Sequence, residues 1–329
     1  MRVLFVGTPD FAKESLEAVI SAGYEVVGVI TAPDKPKGRG MKMAMSDVKK
    51  YALEKNIAVF QPEKIRKNPD FIEEIKALNA DIACVVVYGK ILPKEFLELF
   101  KYGCINVHPS LLPKYRGAAP IQWAIINGDK NTGVCTMYLD VGMDDGDIIK
   151  KEEVDIGEDE TFGELWNRLS TLGAKMLVQT LGDIEKGKVT RIKQPKEFTL
   201  APKLEKEISK IDWENKTAFQ IKNLVRGLNP GFGAYSFLEG KKIKFWKINI
   251  IDFNVFINKF SEFEEYKNRV SKIDNGTVIY SSDKNGLFIK AKDAIISVIE
   301  IQGENGKKMN IKDYLRGNKI LAGQCFKNE

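Results

Sequence analysis

Histidine is nearly absent from this sequence: His108 is the only one among 329 residues. Chemistry that needs two imidazoles is excluded, and with it most histidine-rich metal sites. Cysteine is sparse as well. Cys84, Cys104, Cys135 and Cys325 are widely spaced with no C-x-x-C, which speaks against a zinc knuckle or a disulfide framework and for reduced thiols in the cytoplasm. Long apolar runs are missing, none approaching the roughly 20 residues that span a bilayer, so no membrane partner is expected. The stretch Val3-Leu4-Phe5-Val6 behind Met1-Arg2 is too short for a signal-peptide core. Internal repeats are lacking. What remains is a globular balance, 43% hydrophobic and 29% charged, which rules out disorder and collagen-like order. At about 100–200 residues per domain, the length suggests two domains.

The net charge of +6 is unevenly placed. Residues 205–329 hold 22 Lys and Arg against 16 Asp and Glu, whereas residues 1–204 hold 29 of each. A basic appendage on a neutral body points to a polyanion such as nucleic acid. The plain alternative is a solvated, lysine-rich surface.

In the front part, residues 2–6, 25–30 and 81–87 are apolar runs without polar alternation, and a helical pattern through Phe11, Leu16, Val19 and Ile20 follows the first. Such runs suit strands covered on both faces, which predicts an α/β fold with an open, mostly parallel sheet and helices on both faces. Shorter strands are expected at 104–108 and 136–139, and a helix over 161–181 with Phe162, Leu165, Leu169, Leu172, Met176 and Leu177 near one face. The polar, Pro-punctuated stretch 189–208 reads as a linker between domains at 1–188 and 209–329. Beyond it, a helix near 217–228 precedes short strand candidates at 235–238, 243–251, 276–280, 286–291 and 294–301. Strands punctuated by Gly and Asn-Gly predict a small β-barrel. Trp213 and Trp246 are read as part of its core.

Several segments carry chemistry. Gly7-Thr8-Pro9-Asp10-Phe11 sits where a dinucleotide fold has its first turn. It lacks G-x-G-x-x-G, and Pro9 removes a backbone donor, so a tight strand-to-helix turn with Thr8 or Asp10 near the cap is preferred. Asn106-Val107-His108 ends a buried strand, and alternation puts the amide and the imidazole on one side. Together they can face one carbonyl oxygen, the amide as donor and the ring as acid or charged donor. The bland alternative is a buried, hydrogen-bonded polar pair. A long Pro- and Gly-bounded loop, residues 109–120, follows directly. Met143-Asp144-Asp145-Gly146-Asp147 forms a dense acidic turn after another strand. One of its carboxylates can orient the lone ring; a metal turn or an N-cap is the other reading, and the spacing is not that of an EF-hand. In residues 31–50, Lys35, Lys37, Arg39 and Lys42 cluster where Pro and Gly forbid a regular helix. That is either a mobile surface loop or a basic clamp for phosphates.

With these residues the chain resembles the methionyl-tRNA formyltransferase family over essentially its whole length. The landmarks are Gly7-Thr8-Pro9-Asp10-Phe11, Pro33-Asp34-Lys35-Pro36-Lys37-Gly38-Arg39-Gly40, and Asn106-Val107-His108-Pro109-Ser110-Leu111-Leu112-Pro113. They continue with Tyr115-Arg116-Gly117-Ala118-Ala119-Pro120-Ile121-Gln122, the acidic turn, and Asn229-Pro230. The resemblance implies a formyltransferase-type, Rossmann-like catalytic domain and an OB-like barrel that binds tRNA. It implies transfer of a formyl group from 10-formyltetrahydrofolate, as co-substrate, to the α-amine of methionyl initiator tRNA, with no metal, in a cytoplasmic monomer. Asn106, His108 and Asp144 match the family's catalytic residues. Ser110, Leu111, Leu112 and Pro113 match its folate-contacting segment, with Leu112-Pro113 expected to be cis, and Tyr88-Gly89 lies where the pterin pocket would be. Arg39, with Lys35, Lys37 and Lys42, matches the basic loop that contacts the tRNA. One departure is Gly231-Phe232-Gly233-Ala234, where the family more often has an aromatic-Pro pair after Asn-Pro. A formyltransferase for a small amine, a 10-formyltetrahydrofolate hydrolase and a non-enzymatic RNA-binding protein are the alternatives.

Overall fold

In the computed structural model, which describes residues 1–37, 42–259 and 272–327, the apolar runs of the front part become the inner strands of a seven-stranded sheet. The strands are β1 (Arg2–Gly7), β2 (Glu25–Ile30), β3 (Val59–Phe60), β4 (Ile82–Val86), β5 (Cys104–His108), β6 (Asn131–Tyr138) and β7 (Ile148–Asp155). Their order is β3-β2-β1-β4-β5-β6-β7; the first five in this order are parallel, and β6 pairs antiparallel with both β5 and β7. β7 escaped the sequence reading because its middle is Lys150-Lys151-Glu152-Glu153. That charge suits an exposed edge, where it discourages pairing with another chain.

Helices cover both faces. On one, Leu4, Val6, Ala83 and Val85 pack with Ile75 and Phe96. On the other, Thr136 of β6 shares a 2.8 Å hydrogen bond with Thr180 of the long helix Phe162–Glu185. Thr8 and Asp10 flank the N-cap of the helix Asp10–Ser21, which is Pro9 and makes no side-chain bond. Asp10 Oδ1 instead accepts the Phe11 N–H and the Trp166 indole N–H.

The chain divides into two compact units. The first is Met1–Ile121, Lys130–Ile156 and Glu164–Lys203; the second is Gln122–Asp129, Gly157–Gly163 and Leu204–Glu329. The stretch read as a linker over 189–208 therefore belongs to the first unit as far as Lys203. Ile192 pairs with Ile148, and Leu200–Ala201 runs parallel to Arg116–Gly117. It shows no apolar periodicity because polar contacts hold it.

The second unit is built on β8 (Ala234–Leu238), β9 (Lys241–Ile251), β10 (Val278–Ser282), β11 (Gly286–Lys290) and β12 (Ile295–Gln302), all antiparallel in the order β8-β9-β12-β11-β10. The C-terminal segment links the two edges, Phe237 bridging to Lys327 and Thr277 to Cys325, so the strands close as a small barrel. Trp213, Phe245 and Phe326 meet inside, with ring centroids 5.3–6.1 Å apart. Trp246 is only half-buried, with the Lys244 and Lys308 ammonium groups 5.6 and 5.7 Å from its ring. In the segment after Asn229-Pro230, one glycine has a steric reason. Gly233 has φ +68°, and a Cβ there would stand 2.8 Å from the Trp246 ring.

Candidate active site

β5 delivers the central pair. Asn106 and His108 lie on one side of the strand and Val107 on the other. The strand ends at His108, at the carboxyl edge of the parallel sheet, where open α/β folds bind ligands. His108 is buried, and its Nε2 lies 2.9 Å from the Tyr115 carbonyl oxygen. That oxygen can only accept, so the ring nitrogen donates. Nδ1 faces Asp144 Oδ2 at 3.7 Å, too long for a hydrogen bond and short enough for charge to act across it. Asp144 sits at φ +48°. Its Oδ2 accepts the Gly117 N–H at 2.8 Å, and its carbonyl accepts from Gln194 Nε2 at 2.9 Å. Gly117 cannot be replaced freely: its φ is +125°, and a Cβ would stand 2.7 Å from the Ala201 carbonyl oxygen.

Asn106 is 9% exposed, and among the described residues its side-chain amide has no hydrogen-bond partner. An unspent donor on a residue otherwise so enclosed is what a site that binds an incoming oxygen keeps in reserve. Cys135 lies opposite His108 in the ladder. Burial pushes its thiol up to about 11, so it is no thiolate nucleophile at neutral pH.

The residues expected to meet folate take several positions. Tyr88, just past β4, is buried, its hydroxyl lacks a partner, and burial pushes that hydroxyl up to about 12. Gly89 has φ +75° and open space where a Cβ would stand. Ser110 is buried with Oγ donating to the Lys114 carbonyl at 2.7 Å. Leu112 is core, packed with Cys135, Met137 and Ile148; Leu111 and Pro113 are half-buried, and Leu112-Pro113 is cis.

Of the basic cluster, Lys35 is exposed on a short ribbon in which Lys35–Lys37 pairs antiparallel with Lys42–Ala44. For Lys37 and Lys42 the backbone pairing alone is described, and Arg39 lies outside the described residues. The base of the ribbon is pinned. Thr31 Oγ1 and Ser46 Oγ share a 2.8 Å bond, and Lys49 Nζ lies 2.7 Å from both Asp34 Oδ2 and Gln61 Oε1. Among the described residues no helix is long and apolar enough to cross a membrane, and no group of three or more His, Cys, Asp or Glu could hold a metal ion.

The sequence reading missed the Tyr115 carbonyl, the Gly117 N–H, Arg116 and Gln194. Two of these act through the backbone, which leaves no side-chain signature. Gln194 lies 50 residues beyond Asp144, in a stretch without periodicity.

A family model described as formyl transferase matches residues 1–181, and one described as formyl transferase, C-terminal domain, matches residues 203–319. A methionyl-tRNA formyltransferase of Alkaliphilus oremlandii (strain OhILAs) is 48% identical over 327 residues, covering 99% of each chain. One of Clostridioides difficile (strain 630) is 46% identical over 324 residues, 98% of this chain and 99% of that protein. Among solved structures, WlaRD, a sugar 3N-formyl transferase in the presence of dTDP and 5-N-formyl-THF, aligns with a TM-score of 0.64 at 20% identity, covering 91% of this chain and 97% of its own. HypX from Aquifex aeolicus in complex with tetrahydrofolic acid aligns with a TM-score of 0.63 at 15% identity; the match covers 99% of this chain and about half, 51%, of that one. At those identities the two structures speak for the fold alone.

Proposed function

We infer the activity from one premise: the chain belongs to the formyl transferase family. It moves a formyl group from 10-formyltetrahydrofolate to the α-amino group of methionine on initiator tRNA, giving N-formylmethionyl-tRNA for translation initiation. The observation that carries this reading is the unspent Asn106 amide on the strand that holds His108 against Asp144. The residues present suit a folate donor: the buried, unpartnered Tyr88 hydroxyl and the open space over Gly89 lie just beyond the neighbouring strand.

In this reading the neutral amine attacks the formyl carbon, and negative charge grows on the formyl oxygen. Asn106 donates to that oxygen. Nε2 of His108 is spent on Tyr115, so Nδ1, on the Asp144 side, is the nitrogen left for the reactants. Asp144 holds the ring's charge and collects the proton that the amine gives up. The intermediate then collapses, the formyl carbon–N10 bond breaks, and N10 takes up a proton and leaves as the secondary amine of tetrahydrofolate. The first unit serves as the donor-binding catalytic domain, with Tyr88, Gly89, Ser110, Leu111, Leu112 and Pro113 around the folate. Residues 209–329 and the basic cluster of Lys35, Lys37, Arg39 and Lys42 bind tRNA phosphates, so affinity falls steeply with salt. The enzyme works as a cytoplasmic monomer.

One assay tests the reading. The purified chain is given 10-formyltetrahydrofolate with methionyl initiator tRNA, small amines or water. Formyl-methionyl-tRNA is the expected product; its absence, or faster formylation of a small amine or release of formate, rejects the proposal.

A further inference from the structure

Two groups flank His108, the Tyr115 carbonyl and the Asp144 carboxylate, and one remote stretch of chain holds both. Gln194 holds the Asp144 turn: its Nε2 donates to the carbonyls of Asp144 and Gly146 at 2.9 and 2.8 Å. Its Oε1 accepts from Nε and Nη2 of Arg116 at 3.2 and 2.8 Å. Thr199 holds the other side. Its Oγ1 accepts the Tyr115 N–H at 2.8 Å, and its carbonyl accepts the Arg116 N–H at 2.9 Å. Gln194 and Arg116 are both buried, and the guanidinium is 4.5 Å from the Phe198 ring centroid.

The chemistry of Gln194 is specific. Both amide hydrogens go to carbonyls, and the amide oxygen takes two guanidinium N–H groups, so a flipped amide would satisfy none of the four bonds. A glutamate would keep the Arg116 side but turn an oxygen toward two carbonyl oxygens. Through this one amide the 115–117 loop and the 144–146 turn are tied together. Those loops supply the acceptor at Nε2, the carboxylate at Nδ1 and the Gly117 N–H that pins it.

We propose that the 194–199 stretch is a strap in which Gln194 and Thr199 are positioning residues for the transfer reaction. They touch no reactant. They set where Asp144 and the His108 ring stand, and the inference rests on the transferase reading above. Stabilising a developing charge needs donors placed to within about half an ångström, so loosening either tie lowers kcat and leaves substrate binding alone.

The test uses the full chain with Gln194→Ala, Gln194→Glu, Thr199→Val and Thr199→Ser. Gln194→Ala, Gln194→Glu and Thr199→Val are expected to lower kcat by roughly ten- to a hundredfold. KM for both substrates should stay within about twofold. Thr199→Ser, which keeps the hydroxyl, should restore near-normal turnover. In an Asp144→Asn background, Gln194→Ala should cost nothing further, because the residue it positions is already disabled. Amide hydrogen exchange at Gly117 should quicken in Gln194→Ala and Thr199→Val even without substrates. Unchanged kcat, full additivity with Asp144→Asn, or unchanged protection of Gly117 overturns the proposal. A native chain with no transferase activity sinks the parent reading instead, and the exchange measurement then still decides whether the strap exists.

Discussion

The surroundings of His108 and the heart of the barrel are built on opposite principles. Around His108 the contacts are polar and mostly join separate segments of the first unit: 108 to 115, 117 to 144, 116 to 194, 115 to 199. Each such bond contributes only about 0.5–1.5 kcal/mol net. In the barrel, Trp213, Phe245 and Phe326 bury rings that touch one another, and one aromatic ring buries about 150–250 Å². Damage to the barrel centre should take the second unit's fold, while damage beside His108 should take the reaction and spare the fold.

The most severe test lies in the barrel. Phe245→Ala should cost about 3–5 kcal/mol of stability through the cavity it leaves, measured by denaturant unfolding. A loss near 1 kcal/mol would mean that the aromatic trio is not the core and would remove one side of the contrast. Next comes the site. Asn106→Ala and His108→Ala should each raise the barrier by about 2.7–4 kcal/mol, read as a hundred- to thousandfold lower kcat. Their melting temperatures should stay close to the native value, and tRNA affinity should persist. A melting drop to match the activity loss would make His108 an ordinary buried polar group.

Gly117→Ala sharpens the contrast, since it strikes the boundary between backbone and chemistry. The new methyl would meet the Ala201 carbonyl at 2.7 Å from a residue at φ +125°, and the strain should amount to roughly 1–3 kcal/mol. Because the same residue's N–H pins Asp144, kcat should fall as well. A stability loss with intact kcat would separate the carboxylate's position from the Gly117 bond.

How far the sequence alone reaches follows the same divide. β1, β2 and β4 were legible because burial on both faces leaves apolar runs, β5 as a shorter run ending in polar groups, and the barrel strands because Gly and Asn-Gly mark their turns. The comparisons bear out the formyl transferase family and the methionyl-tRNA reading of the activity. Asn106 and His108 were legible as a strand end and the acidic turn as the source of a carboxylate; Asp144 within that turn came from the family resemblance, and the fold sets His108 beside it. β7 was hidden by its charge and β3 by its length. The strap was hidden because its role rests on hydrogen bonds from Gln194 and Thr199, and neither hydropathy nor periodicity registers a hydrogen bond.

The smallest expected effect lies at the foot of the basic ribbon, where a polar cluster from distant segments stands outside the site. The hydrogen bond from the Lys49 ammonium, helped by Gln61, holds the Asp34 carboxyl below the ordinary carboxylate range. A carboxyl lowered on folding stabilises the native state fully above its unfolded value, about 3.9, and loses that contribution as pH falls through the lower folded value. Asp34→Asn should therefore melt slightly below the native chain at pH 7. The gap should narrow once the medium is acidic enough to protonate the native carboxylate. Paired melting curves at neutral and strongly acidic pH give the answer. A gap that is constant with pH would show that Asp34 contributes through its hydrogen bonds and shape, with no part played by its charge.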